Sequence, residues 1–446
     1  MKKYCIKNKK NYNDISEEDA EMISSLKINN CLIYNSEVEF SMRANMHYRR
    51  FPNAVASIGN NNILKTAILF GPNNSGKTNL IQTIATIKQI MLNQNPNIMS
   101  NLFTDDSICE MAITFFEGEN EYAFEVKYDT SKEEYVFERF AQISRDSYNN
   151  ISEDTILLRD ILHAEYDCKD ETLLPMMKLA AKNNILIYLM DTDQLSILKQ
   201  IKETIVAFAS KIDIVDMNNI PIRKTLEMLK NSNEKKKKER IVNFILNADL
   251  SLDDFKYLSD DEMTVTMTKK ATLNGDMQPQ ETALNLPDAL MEMLHLTSVY
   301  KGICVPSLLF DSTGTKKIAS IASYVIDALE NGRILIVDEL DNSLHFKLTR
   351  AILALFNNEL NKNAQLIATA HDISLLDCRT LFRKEQIWFS YKDRNHAYLY
   401  SLAEFTADKD GIRDTSDLIE KYRSGVFGAL PEPDLFLSLL EVRENV

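Results

Sequence analysis

The residues best placed to do chemistry are Gly71-Pro72-Asn73-Asn74-Ser75-Gly76-Lys77-Thr78, which satisfy G-x-x-x-x-G-K-[ST] at every fixed position. The pattern describes a phosphate cradle. Glycine at 71 and 76 removes Cβ atoms that would keep phosphate oxygens away from the backbone. The N–H groups of the loop and of the helix start that follows, through Asn79, then form a concave anion site. Lys77 supplies a cation for the β- and γ-phosphates, and the Thr78 hydroxyl is a ligand for Mg²⁺. These residue types at this spacing predict that Gly71, Asn73, Asn74, Ser75, Gly76, Lys77, Thr78 and Asn79 bind ATP.

Three further stretches carry chemistry. Residues 333–341 read RILIVDELD. The run Ile334 to Val337 is typical of a buried parallel strand, and it delivers Asp338-Glu339 to the strand's carboxyl end, where α/β sheets bind ligands. Asp338 is expected to partner Mg²⁺, directly or through water, and Glu339 to orient or deprotonate the attacking water. Residues 365–372, QLIATAHD, end another apolar run at His371, which is expected to contact the γ-phosphate and help hold that water. Residues 310–318, FDSTGTKKI, place Ser312 and Gly314 at a helix start. That is either a second anion site or an ordinary helix cap. One ATP does not need two such loops in one subunit, whereas two copies head to tail would use both.

The elements that must position these groups follow from periodicity. Ile63 to Phe70 reads as a buried strand, and Leu80, Ile81, Ile84, Ile87 and Ile90 fall at helical spacing. Strand, glycine loop and helix are the context the motif requires. Residues 26–44 read as strands before the loop, and 108–145 as a three-stranded meander broken at Gly118-Glu119-Asn120 and Asp129-Thr130-Ser131. From about 153 to 255 the spacing is helical. Residues 256–283 suggest one further hairpin, and 285–301 a helix. Residues 1–25 are polar and suit an arm or a short helix. The expected division is 1–150 and 256–405 as the two parts of an ATPase head, 151–255 as a helical insertion, and 406–446 as a tail.

Composition narrows the classes. The 446 residues suffice for two to three domains or one elaborated one, and 45% hydrophobic residues can bury a sizeable core. The net charge of −14 argues against a protein dominated by phosphate-backbone contacts, while leaving room for a local basic face. The run Lys235 to Lys238 is flanked by acidic residues and reads as a solvated face. Six cysteines are scattered without a C-x-x-C pair and read as ordinary thiols of a reducing compartment. The N-terminus lacks the apolar stretch of a signal peptide, and no run approaches the ~20 apolar residues of a membrane helix. A cytoplasmic protein without membrane contact is expected.

With those residues in hand, the chain resembles ABC-type ATPases of the SMC and OLD-like branch. More narrowly it is similar to the RloA/AbiL-type AAA-family ATPases of bacterial phage-defence operons. ILKTAILFGPNNSGKTNLIQTI, DSTGTKKI, VDELDNSLHF and YRSGVFGALPE carry the likeness, which spans roughly residues 26–145 and 285–432. The resemblance implies an α/β fold, with a P-loop head, an antiparallel β subdomain and an inserted helical subdomain. It also implies a homodimer or higher homo-oligomer that sandwiches two ATP molecules. Ser312 and Gly314 would then contact the partner's nucleotide, and Asp341 would lie in the loop linking the two sites. Gln142 is the nearest candidate for the Mg²⁺-sensing glutamine of such proteins, and helix capping is the default for His345.

Four functions compete. The first is an ATP-driven sensor or regulator in phage defence that controls a separately encoded nuclease or toxin. The second is a DNA-repair or recombination ATPase of the SMC type acting on DNA. The spacing between Thr78 and Ile334 leaves too little chain for a long coiled coil. The third is a self-contained OLD-like nuclease, which needs clustered carboxylates. Asp408-Lys409-Asp410 lies in a polar stretch and reads better as a solvated loop, and few residues follow His371. The fourth is a scaffold that binds ATP without turnover, against which Glu339 argues.

Overall fold

The computed structural model describes residues 20–45, 48–145, 150–190, 195–231, 235–248, 251–262, 288–393, 396–413 and 415–430. The expected N-terminal arm up to residue 19, most of the 256–283 hairpin and the end of the tail lie outside these residues.

An antiparallel sheet forms one layer. Its strands are β1 (Glu21–Asn29), β2 (Val38–Ser41), β6 (Ile108–Glu117), β7 (Asn120–Asp129), β8 (Glu134–Arg145), β9 (Ile151–Asp160) and β10 (Glu165–Cys168), in the order β10-β9-β8-β7-β6-β1-β2. Between β2 and β6 the chain makes the hairpin β3 (Val55–Ile58) and β4 (Asn61–Leu64). Strand β5 (Thr66–Phe70) and helix α1 (Lys77–Met91) follow. The second sheet contains β5, β11 (Ile212–Asp216), β15 (Ile334–Asp338), β16 (Gln365–Thr369), β17 (Ile387–Lys392) and β18 (Ala397–Ser401), in the order β11-β15-β16-β5-β17-β18. All its pairings are parallel except β17 with β18. A small sheet of β12 (Asp254–Tyr257), β13 (Leu296–Tyr300) and β14 (Ile303–Pro306) completes the strands.

The parallel sheet is covered on both faces, which is why its strands are continuously apolar. Ile334 and Ile336 face one core with Ile367, Leu69 and Ile84, and that core also packs the antiparallel sheet. Leu335 and Val337 face the opposite core with Leu366, Ile68, Phe70 and Phe356. Two contacts lock the layers together. Trp388 packs on Phe40 with ring centroids 4.9 Å apart. At a bulge in β1, the Gln365 side chain accepts from Ile23 N (2.9 Å) and donates to Ile23 O (3.1 Å) and Leu64 O (3.0 Å). The bulge leaves backbone groups without ladder partners, and one buried amide satisfies them.

Four long helices matter for the site and its support: α2 (Ser196–Ser210), α3 (Arg223–Lys230), α4 (Lys235–Leu246) and α5 (Thr313–Asn331), with α6 (Phe346–Phe356) after β15. Helix α5 starts where Ser312 Oγ accepts from Thr315 N at 3.1 Å, and it ends at Gly332 in the left-handed conformation (φ 58°). The Lys235–Lys238 run begins α4, and Lys237 Nζ donates to Asp327 Oδ1 at 2.8 Å. The fold is α/β, with the strand–loop–helix of the glycine motif set in a mostly parallel six-stranded sheet and an antiparallel sheet packed against it.

Three expectations need correction. The helical pattern from 153 to 255 holds for α2 to α4, yet 151–160 and 165–168 extend the antiparallel sheet and 212–216 joins the parallel one. Ile151–Asp160 has a polar, exposed first half, and Ile212–Asp216 is too short for its period to register. Within 285–301, Asp288–Met293 is helical but Leu296–Tyr300 is strand β13. Cys31 and Cys109 are joined in a disulfide, with Cα atoms 5.0 Å apart, whereas they were expected as thiols. Seventy-eight positions separate them, and only the passage of β6 beside the end of β1 brings them together.

Candidate functional site

The cradle forms where β5 meets α1. Gly71 has φ 156°, and a Cβ there would fall 2.1 Å from Ser390 O on the neighbouring strand. Gly76, at φ 113°, is the residue before the helix. Asn74 is left-handed (φ 62°), a turn that gathers successive N–H groups on one side. Asn73 and Asn74 are exposed, Ser75 and Lys77 are buried, and Asn79 Nδ2 donates to Gln82 Oε1 at 3.0 Å. The loop is also gripped from outside. Ser390 Oγ donates to Ser75 O at 2.7 Å, and Tyr34 OH donates to Gly76 O at 2.9 Å. Burial pushes the Tyr34 hydroxyl's pKa well up, so it remains a donor.

Lys77 Nζ donates to Gly71 O (2.7 Å) and Pro72 O (3.0 Å). Burial pushes its pKa down, opposed by the carboxylates of Asp338, Glu339 and Asp341. The ammonium is therefore held by weak neutral acceptors close to an acidic group. Phosphate oxygens are stronger acceptors and would favour its charged form.

Thr78 Oγ1 donates to Asp338 Oδ2 at 2.8 Å. The first turn of α1 and the carboxyl end of β15 thus present two hard oxygen donors side by side. That donor set fits Mg²⁺, which takes one or two protein oxygens and fills its remaining positions with water and phosphate. Thr369, at the end of β16, holds the other side. Its Oγ1 donates to Asp338 Oδ1 at 2.5 Å and accepts from Glu339 N at 2.8 Å. Glu339 is left-handed (φ 54°), a conformation that a glutamate keeps only when its neighbours enforce it. Its Oε1 stands 4.0 Å from His371 Nε2, and its Oε2 accepts from Asn342 Nδ2 at 3.0 Å. Asp341 Oδ2 accepts from the backbone N–H groups of His371 (2.8 Å) and Asp372 (2.5 Å), which fastens the turn after β15 to the turn after β16.

Gly71 to Asn79, Asp338, Glu339, Asp341 and His371 therefore lie at the carboxyl ends of the parallel strands. The order β15-β16-β5 causes this, because three adjacent parallel strands end on the same side. Ser312 and Gly314 lie at the exposed start of α5. Ser312 bonds to Thr315, and a Cβ on Gly314 would come within 3.0 Å of Ser343 O. The residue before them is fixed firmly. Asp311 accepts from Ser298 Oγ (2.5 Å), Ser307 Oγ (2.6 Å) and Tyr300 OH (2.8 Å). Burial, with this carboxylate, pushes Tyr300 up to about 12.

Three weaker candidates fall elsewhere. Gln142 lies on β8 and donates to Asn120 Oδ1 at 3.0 Å. His345 precedes α6 and its Nδ1 accepts from Lys347 N at 3.3 Å, a cap. Asp408-Lys409-Asp410 forms an exposed helical turn. Sequence reasoning did not find Tyr34, Thr369, Ser390, Asp311 or Asn342. The first four are single hydroxyls or carboxylates with no spacing to mark them. Asn342 lies in the quoted VDELDNSLHF but had no chemical reason to stand out.

Residues 221–377 match the family described as "AAA domain, putative AbiEii toxin, Type IV TA system". The match contains Ser312, Asp338, Glu339 and His371, and it starts downstream of the phosphate cradle. No curated protein matches the chain. Among solved structures, the chain is similar to an SMC head bound to the C-winged helix domain of ScpA. That likeness has 12% identity and a TM-score of 0.43, and it covers 85% of this chain and 97% of that one. The SMC head domain from Thermotoga maritima gives 12% identity and a TM-score of 0.41 over 85% and 98%. The Smc head domain derived from Pyrococcus furiosus, with an extended coiled coil and bound to the C-terminal domain of ScpA, gives 11% and 0.41 over 90% and 100%. Likeness at this level says nothing about what the chain binds. Among the described residues, no helix is long and apolar enough to cross a membrane.

Proposed function

We propose that the chain is a Mg²⁺-dependent ATPase whose cycle, in a head-to-tail homodimer, controls a separately encoded nuclease or toxin of a phage-defence system. The observation that carries the ATPase reading is the pairing of Thr78 Oγ1 with Asp338 Oδ2 at 2.8 Å beside Lys77, with Glu339 and His371 at the same carboxyl end of the parallel strands. The match of residues 221–377 to a family described by toxin–antitoxin terms supports the defence reading.

In this reading the backbone N–H groups from Asn73 to Asn79 hold the phosphates. Lys77 exchanges the carbonyls of Gly71 and Pro72 for β- and γ-phosphate oxygens. Thr78 and Asp338 would hold Mg²⁺, which when bound would supply charge neutralisation at those phosphates. Glu339 takes the proton of a water aimed at the γ-phosphorus. The new P–O bond forms as the bond to the β,γ-bridging oxygen breaks, giving ADP and phosphate. His371, across a 4.0 Å gap from Glu339, in this reading holds the same water or a γ-phosphate oxygen. Ser312 and Gly314 of one copy meet the nucleotide of the other, and Asp341 ties the two turns next to that junction.

The test is Glu339→Gln, made at the native locus. The variant is expected to bind ATP while turnover falls roughly 10²- to 10⁴-fold, the usual worth of a general base. It should accumulate as an ATP-locked dimer. Mass spectrometry of what co-purifies with and without ATP then reads the partner. A stoichiometric nuclease or toxin whose retention follows nucleotide supports the defence role, and a dimer carrying DNA instead moves the reading to repair. Turnover at the wild-type rate would remove Glu339 from the mechanism.

A further inference from the structure

We propose that Asn342, anchored by Asn218, is a positioning residue for Glu339; the inference rests on reading Glu339 as the base. A carboxylate that must accept a proton from one particular water needs one oxygen free toward it and the other held, because a freely rotating side chain spends most of its time misaligned. Here the held oxygen is Oε2, which accepts from Asn342 Nδ2 at 3.0 Å. The same nitrogen donates to Asn218 Oδ1 at 2.6 Å. Asn342 Oδ1 accepts from Ser343 Oγ at 3.1 Å.

This network fixes the amide's orientation. An amide nitrogen has two protons, and both are used, one on Asn218 and one on Glu339. Rotating the amide by half a turn would set its oxygen against two acceptors. The donor is also neutral. A lysine or arginine at this position would hold Glu339 equally well but would neutralise the base; the amide aims it without adding charge. The backbone adds a further constraint, since Asn342 N donates to Glu339 O at 2.9 Å and closes the turn that keeps Glu339 left-handed.

Asn218 comes from a different part of the chain. It belongs to the short turn Met217–Asn219 at the carboxyl end of β11, where Asp216 Oδ1 accepts from Asn218 N at 2.9 Å. Strand β11 pairs in register with β15, Asp216 opposite Asp338, so the turn after β11 lies beside the turn after β15. The edge strand thus supplies the anchor for the catalytic turn. The carbonyl of the next residue, Ser343, lies close to the start of α5, where a Cβ on Gly314 would come 3.0 Å from it.

Four variants of the full chain test this, each measured for kcat, KM for MgATP, equilibrium affinity for a fluorescent ATP analogue, and melting temperature. Asn342→Ala is expected to lower kcat on the order of 10- to 100-fold with KM and affinity unchanged. Asn342→Asp should be worse than Asn342→Ala, because it turns the donor into an anion facing Glu339 and Asn218. Asn218→Ala should show a smaller loss, and Asn218→Asp, which keeps the acceptor oxygen, should restore most of it. A purely structural role would lower melting temperature in all variants without this order in kcat. Wild-type kcat in Asn342→Ala and Asn342→Asp, beside an inactive Glu339→Gln, overturns the positioning role alone. Wild-type turnover in Glu339→Gln overturns both this inference and the base assignment.

Discussion

Replacing Gly71 with alanine tests whether the cradle depends on the close approach of two strands. The added Cβ would lie 2.1 Å from Ser390 O and 2.8 Å from Ser75 Oγ. Carbon and oxygen atoms in ordinary contact stay about 3.4 Å apart, so something must open by about 1.3 Å. Ser390 cannot yield easily. Its strand pairs with β5, and the adjacent Phe389 stacks on Phe427 (5.0 Å) and Tyr422 (5.9 Å) and tilts against Phe70 (6.4 Å). The glycine loop must move instead, which withdraws its N–H groups from the phosphates. Hydrogen bonds to charged groups are worth about 1.5–3 kcal/mol each, so losing two weakens ATP binding at least ~100-fold. Titration of a fluorescent ATP analogue, with melting temperature measured alongside, reads the effect. Gly411→Ala is the control: it is also left-handed (φ 67°), has open space where the Cβ would go, and should cost only about 1–2 kcal/mol of stability with affinity unchanged. A folded Gly71→Ala protein that binds ATP with wild-type affinity would refute the argument.

Lys77→Ala should weaken ATP binding by about 10- to 100-fold, since it removes the main phosphate cation; calorimetric affinity equal to wild type would sink the P-loop argument itself. Ser312→Ala removes the cap of α5 and should cost about 1 kcal/mol of stability, leave monomeric ATP affinity unchanged, and weaken ATP-dependent dimerisation by light scattering. Undiminished dimerisation would remove Ser312 from the interface. Asp327 gives a pH prediction. Burial alone would raise its pKa, but hydrogen bonds and charges from Lys224 and Lys237 hold it down to about 2. Its unfolded value is about 3.9, so the stability it adds is present above pH ~4 and is lost as pH falls toward 2. Discounted for the solvent reaching the cluster, the gap between wild type and Asp327→Asn in urea melts is on the order of 1 kcal/mol at neutral pH. The gap should close toward pH 2, and a gap independent of pH would contradict the assignment.

The amino-acid sequence by itself determined the features written in contiguous residues. The phosphate cradle from Gly71 to Thr78 was legible because one turn of backbone makes it. The strand Ile334 to Val337 with Asp338 and Glu339 at its end was legible because burial on both faces demands an unbroken apolar run. The start of the helix from Thr313 was legible because Ser312, directly before it, is a capping residue type. What only the tertiary structure decided are the contacts between residues far apart in the chain. Thr369 serves Asp338 and Glu339 because β16 lies between β15 and β5, and strand order is not written in local periodicity. Cys31 meets Cys109 across a sheet pairing and Gln365 meets Ile23 between the two sheets, and no spacing announces either. Strand β11 was hidden because five residues cannot display a period and because Asp213, on an edge strand, is satisfied by Lys224 and Arg333 instead of being excluded from it. With β11 hidden, Asn218 had no place in the site, and the amide that steadies Glu339 could be recognised only after the sheet had put the two turns side by side.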